Sequence, residues 1–113
     1  MNTYTDLEQS KKLTEILPTE SADMFWLVVG DTPHVHVLTE PLSNYSRWES
    51  YHAWSLAALL DVLPKIVNNE TLFIETSAAL WHIGYRNIYT ARADNPVDAC
   101  YEMILKLHEL KML

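Results

Sequence analysis

The sequence predicts an α+β fold in one domain, residues 1–113. A mainly antiparallel four-stranded sheet is packed by helices on one or both faces in an α/β/α sandwich-like arrangement. Three observations lead there. Two segments rich in β-branched and aromatic residues each read as a hairpin, Met24–Leu38 and Thr71–Tyr85. Helical patterns precede, separate and follow them, giving the order α-β-β-α-β-β-α. The apolar fraction of 49%, with four Trp, six Tyr and two Phe, supplies enough large side chains for a core in a chain of this length.

Thr5 with Glu8 has the spacing of a capping box, so the first helix is expected to start there and run to Leu17, before Pro18. Leu13, Ile16 and Leu17 form its apolar stripe. The unbroken apolar run MFWLVV (24–29) reads as a strand covered on both faces, and Gly30 to Pro33 as a turn into a return strand, HVHVL (34–38). Residues 39–54 show no period, but their aromatics predict an ordered excursion rather than disorder.

Ser55 caps the next predicted helix, where Leu56, Leu59, Leu60 and Leu63 share a face and Pro64 marks the end. Leu60, at the centre of that stripe, is expected to be the costly residue to truncate. The second hairpin turns at Ser77 and Ala78. In its second strand Trp81, Ile83 and Tyr85 alternate with a wetter side at His82 and Gly84. The last helix carries the strongest signals: Asn95 as cap, Pro96 at the first position, Asp98 near the positive end, and a stripe of Cys100, Met103, Ile104, Leu107 and Leu110.

Composition narrows the function classes. A net charge of −7 with eight scattered basic residues opposes binding to a nucleic-acid backbone. Gly30 and Gly84 are the two glycines, too few for a phosphate-cradling loop. Cys100 stands alone and calls for no oxidising compartment. The polar N-terminal segment lacks the pattern of a signal peptide, and no apolar run is long enough to span a bilayer. A cytoplasmic location, no membrane association and no cofactor are the expectations.

The segments "KKLTEILP", "MFWLVV", "WSLAALLDVLP", "LWHIGYRN" and "ADNPVDACYEMILKLHELKML" together resemble small phage and prophage proteins of gut bacteria. The resemblance covers most of the chain except 39–54. It implies a phage-derived accessory protein in a bacterial cytoplasm and carries no activity or catalytic residue with it.

The residues themselves offer few chemical groups. His34 and His36 form an H-x-H pair on one strand face and could ligate zinc if Asp31 or His82 completed the site; a wet sheet face is the simpler reading. Cys100, within the apolar stripe, reads as a small buried hydrophobe rather than a nucleophile. Glu40, Glu49, Asp61, Glu70 and Glu75 form no recognisable acid–base pair, and Ser55 and Ser77 lack nucleophile-elbow surroundings. The aromatic segment holding Tyr45, Arg47, Trp48, Tyr51, His52 and Trp54 has the residue types of binding hot spots, but the same side chains could close over the core as a lid. Tyr45, Arg47, Trp48, Tyr51 and Trp54 are the candidate partner-binding residues. The sequence therefore points first to a non-enzymatic accessory or interaction protein acting through a protein partner or self-association. The alternatives are a metal-binding protein or metal-dependent enzyme using His34 and His36, and an acidic DNA mimic.

Overall fold

The computed structural model describes residues 2–113 and has an α+β fold. Helix α1 spans Leu7–Thr14, α2 Leu56–Val62 and α3 Pro96–Glu109. The strands are β1 Met24–Val29, β2 Thr32–Val37, β3 Glu49–Ala53, β4 Ile66–Val67, β5 Glu70–Ser77, β6 Leu80–Tyr85 and β7 Tyr89–Ala93. They form two antiparallel sheets, one three-stranded in the order β2-β1-β3 and one four-stranded in the order β4-β5-β6-β7. The four-stranded sheet is present, but the two hairpins expected to share it lie in different sheets. Each hairpin pairs with strands that have no clear local pattern: β3 beside β1, and β4 and β7 on either side of the second hairpin. The chain divides into two compact units, Tyr4–Ala58 and Leu59–Leu113 with residues 2 and 3.

In the first unit α1 packs against β3. Its cap is one residue later than the sequence suggests. Asp6 accepts the Gln9 amide at 2.8 Å and Gln9 Oε1 accepts the Asp6 amide at 3.0 Å. Thr5 is drawn away because it is buried and tied to Trp54: its N–H donates to the Trp54 carbonyl at 2.9 Å, and its Oγ1 accepts the Trp54 amide at 3.1 Å. The helix stops at Thr14 rather than Leu17. The chain nevertheless keeps coiling, with the Leu17 amide bonded to the Leu13 carbonyl at 2.8 Å, so Leu13 and Leu17 are still buried. Residues 39–54 are ordered, as expected, into a 3-10 turn at Leu42–Tyr45 and then β3.

β1 is less enclosed than its apolarity suggests. Phe25 is buried, its neighbours are half-buried and Val29 is exposed. β2 begins at Thr32, two residues earlier than expected, because the turn from Val29 to Thr32 needs only Gly30 and Asp31. Gly30 sits at φ +64, where a side chain is strained.

In the second unit α3 packs against β6 and β7. Its cap is as expected: Asn95 accepts the Asp98 amide at 2.9 Å, and Cys100, Met103, Ile104 and Leu107 are buried. Leu110 leaves the stripe, because the helix ends at Glu109 and Leu110 is exposed. Ile83, Tyr85 and Ala91 lie on one sheet face by register and are buried. The Tyr85 hydroxyl donates to the Pro64 carbonyl at 2.6 Å, and burial pushes its pKa up to about 12.

The β5–β6 turn falls on Ala78 and Ala79, both at positive φ, one residue later than expected. Asn68 and Asn69 make an equivalent turn between β4 and β5. Within α2, Leu59 and Leu63 are buried while Leu60 is partly exposed. The i, i+4 pair therefore points into the core, and the large truncation cost expected at Leu60 belongs to Leu59.

Candidate functional site

The register of the three-stranded sheet sorts its side chains into two faces. Phe25 and Leu27 of β1 pair with His36 and His34 of β2 on one side, and with His52 and Ser50 of β3 on the other. Directly paired residues share a face, so three imidazoles, a serine and two apolar side chains lie together. The opposite face holds Met24, Trp26, Val28, Val35, Val37, Tyr51 and Ala53.

Phe25 anchors the histidine face. Its ring is stacked on His36 at 5.3 Å between centroids, and Tyr45 of the 3-10 turn lies 5.0 Å away, tilted by 35°. The Tyr45 hydroxyl donates to Glu40, and this hydrogen bond, which only the neutral phenol can donate, raises the phenol pKa. Between these groups lies a cleft of about 310 Å³, lined by Phe25, Leu27, His36, Val37, Thr39 and Tyr45. That volume is at the small end for ligand pockets and suits a single large side chain.

The cleft adjoins an open strand. β2 is an edge of its sheet and its residues are exposed, except for half-buried Val35; Val37 is 66% exposed. The Leu38 amide donates inward to the Asp23 carbonyl at 3.0 Å. Antiparallel ladders alternate in this respect, so His36, His34 and Thr32 also turn their backbone groups toward β1. Val35 and Val37 then turn N–H and C=O outward, and Pro33 turns out a carbonyl alone. Proline at this position costs the ladder nothing.

The five candidate partner-binding residues do not form one surface. Tyr45 stands on the histidine face. Tyr51 lies on the opposite face under the Lys11 ammonium, 5.1 Å from its centroid, and its hydroxyl donates to Glu49. Trp54 is completely buried, its indole N–H donating to Ser21 Oγ at 2.9 Å. Arg47 and Trp48 precede β3, with the guanidinium 5.8 Å from the indole and Trp48 exposed. Sequence reasoning found His34, His36 and Tyr45 but missed Phe25 and Leu27 as their partners, because only the strand register brings them together.

The other chemical groups lie elsewhere. His34 and His36 are 6.4 Å apart between ring centroids. Among the described residues no cluster of three or more His, Cys, Asp or Glu side chains is arranged to hold a metal ion, so Asp31 does not complete that pair. Burial raises the Cys100 thiol pKa to about 12, far from the thiolate a nucleophile requires. Ser77 Oγ lies 2.9 Å from His82 Nε2 at the exposed end of the second hairpin. A hydroxyl–imidazole pair can act as a nucleophile only with an orienting group and oxyanion donors around it.

Burial lowers the pKa of His52 below its ordinary value of 6.5. The sign of the linkage follows: below about pH 6.5 the unfolded chain binds the proton more readily than the folded one, so stability falls as pH drops through that value. Urea midpoints at about pH 7.5 and about pH 5 should therefore fall further for the parent than for His52→Gln. Equal losses would show that His52 is not the group responsible.

No protein family, curated protein or solved structure matches the chain. Among the described residues no helix is long and apolar enough to cross a membrane.

Proposed function

We propose that this is a non-enzymatic accessory protein that binds an extended protein segment along the free edge of β2. The observation that carries this reading is the outward-facing backbone of Val35 and Val37 beside the Phe25–His36–Tyr45 cleft. Strand addition of this kind draws affinity from main-chain hydrogen bonds and specificity from pockets that take alternate side chains. β2 offers both. Thr32–Val37 contains no Lys, Arg, Asp or Glu to repel a neighbouring strand. Phage origin and a cytoplasmic setting belong to the same proposal, supported by the resemblance of the helical and strand segments to small phage and prophage proteins of gut bacteria.

Val35→Pro tests it. The substitution removes an N–H that points away from β1, so the sheet keeps its internal bonds while the outer edge loses a central donor. With the parent and the variant as baits against a bacterial lysate and against the purified parent chain, we expect a protein retained by the parent bait and lost by the variant, with circular dichroism unchanged. The same protein captured equally by both baits would rule out the β2 edge.

A further inference from the structure

We infer that β2 pairs with the β2 of a second copy, and that the pairing assembles a four-histidine site for a first-row divalent metal ion, zinc being the natural occupant. This rests on the edge-strand reading above and names its partner. Consider two β2 strands antiparallel about a two-fold axis through Val35. Val35 exchanges both backbone bonds with the partner's Val35, and the Val37 N–H meets the carbonyl of the partner's Pro33. Pro33 supplies its carbonyl but no N–H, so the Val37 carbonyl stays open to water at each end of the seam. In this register His34 stands directly opposite the partner's His36, and His36 opposite the partner's His34. Both are non-hydrogen-bonded pairs, in which Cα atoms approach to about 4.5 Å and side chains are closest.

The histidines suit a metal. Two imidazoles on one tetrahedral zinc, each with a Zn–N distance of about 2.0–2.1 Å, place their ring centroids about 5 Å apart, roughly 1 Å closer than the 6.4 Å separating His34 and His36. Both rings are exposed, so small rotamer changes can close that gap. One chain supplies only this pair, since among its described residues no third His, Cys, Asp or Glu joins it. A structural zinc site takes four ligands, and a second copy supplies two imidazoles of the same kind on the same sheet face. Charge adds a reason for the ion. Each chain carries a formal −7, and a dication at the seam offsets their mutual repulsion.

The test is sedimentation velocity on the untagged full chain, in EDTA and with zinc chloride at one ion per two chains. We expect zinc to tighten dimerisation by about tenfold or more. Replacing His34 and His36 together by Ala should abolish the zinc effect, and His108→Ala, a change at an exposed helical histidine, should preserve it. Val35→Pro should abolish dimerisation in both conditions. A monomer in zinc at every concentration, or one zinc bound per chain without dimerisation, would overturn the inference. A dimer equally tight in EDTA, unaffected by the histidine replacements and broken by Val35→Pro, would overturn the metal site while leaving the β2 edge as the binding surface.

Discussion

Trp54→Ala is expected to lower the unfolding free energy by about 3–5 kcal/mol, the cost of emptying a large buried aromatic site. Trp54 is completely buried, and its indole N–H donates to Ser21 Oγ. Its backbone is bonded in both directions to Thr5, just ahead of the α1 cap. Three segments converge on this residue: the start of α1, the 3-10 turn at Thr19–Ser21 and the end of β3. Truncation leaves a cavity where they meet and removes the donor to Ser21. The control is Trp48→Ala, whose ring is exposed beside Arg47. It should cost less than about 1 kcal/mol, as surface changes do. Urea midpoints with unchanged m-values check both. Equal losses would mean that the two aromatic residues share one role.

Gly84→Ala should be comparably damaging, by about 3 kcal/mol, for a different reason. Gly84 pairs with Thr90 across β6 and β7, and the chain turns back within a few residues. A Cβ there would lie 2.2 Å from the Tyr89 carbonyl oxygen and 2.7 Å from the Thr90 Cα. Both are backbone atoms, so no side-chain rotation relieves the clash and β7 must move off β6. β7 is an edge strand paired only to β6, and α3 packs on both strands. Thermal unfolding should show Tm lowered by about 10–15 °C. A Tm within about 2 °C of the parent would require the β6–β7 pairing to be loose enough to admit a methyl group.

Where local chemistry decides the outcome, the sequence was legible. Asn95, Pro96 and Asp98 announce α3, and the β-branched and aromatic runs announce both hairpins. The missing strands are those whose character depends on their neighbours. β3 reads ESYHA, with polar Ser50 and His52 facing Leu27 and Phe25, so no apolar alternation marks it. β7 reads YTARA, where Ala91 is buried because Ile83 of β6 and helix α3 cover it. Splitting the hairpins between two sheets follows from those same strands. For the site, the H-x-H spacing alone puts two imidazoles on one face. Phe25 as the ring stacked on His36, Tyr45 as the wall of the cleft and the outward backbone of Val35 and Val37 all depend on register. Thr5 shows the same limit: a good capping residue by local rules, it is claimed by Trp54 from 49 positions away.

Whether the β2 edge is the surface of association is read most directly by residue-resolved amide hydrogen exchange. In the free monomer the Val35 and Val37 amides should exchange rapidly, while those of His34 and His36, bonded to β1, are protected. On association, whether with a second copy in zinc or with a captured partner, Val35 and Val37 should become protected while the amides of β7 stay unchanged. Association that leaves Val35 and Val37 exchanging as in the monomer would mean that the β2 edge is not that surface.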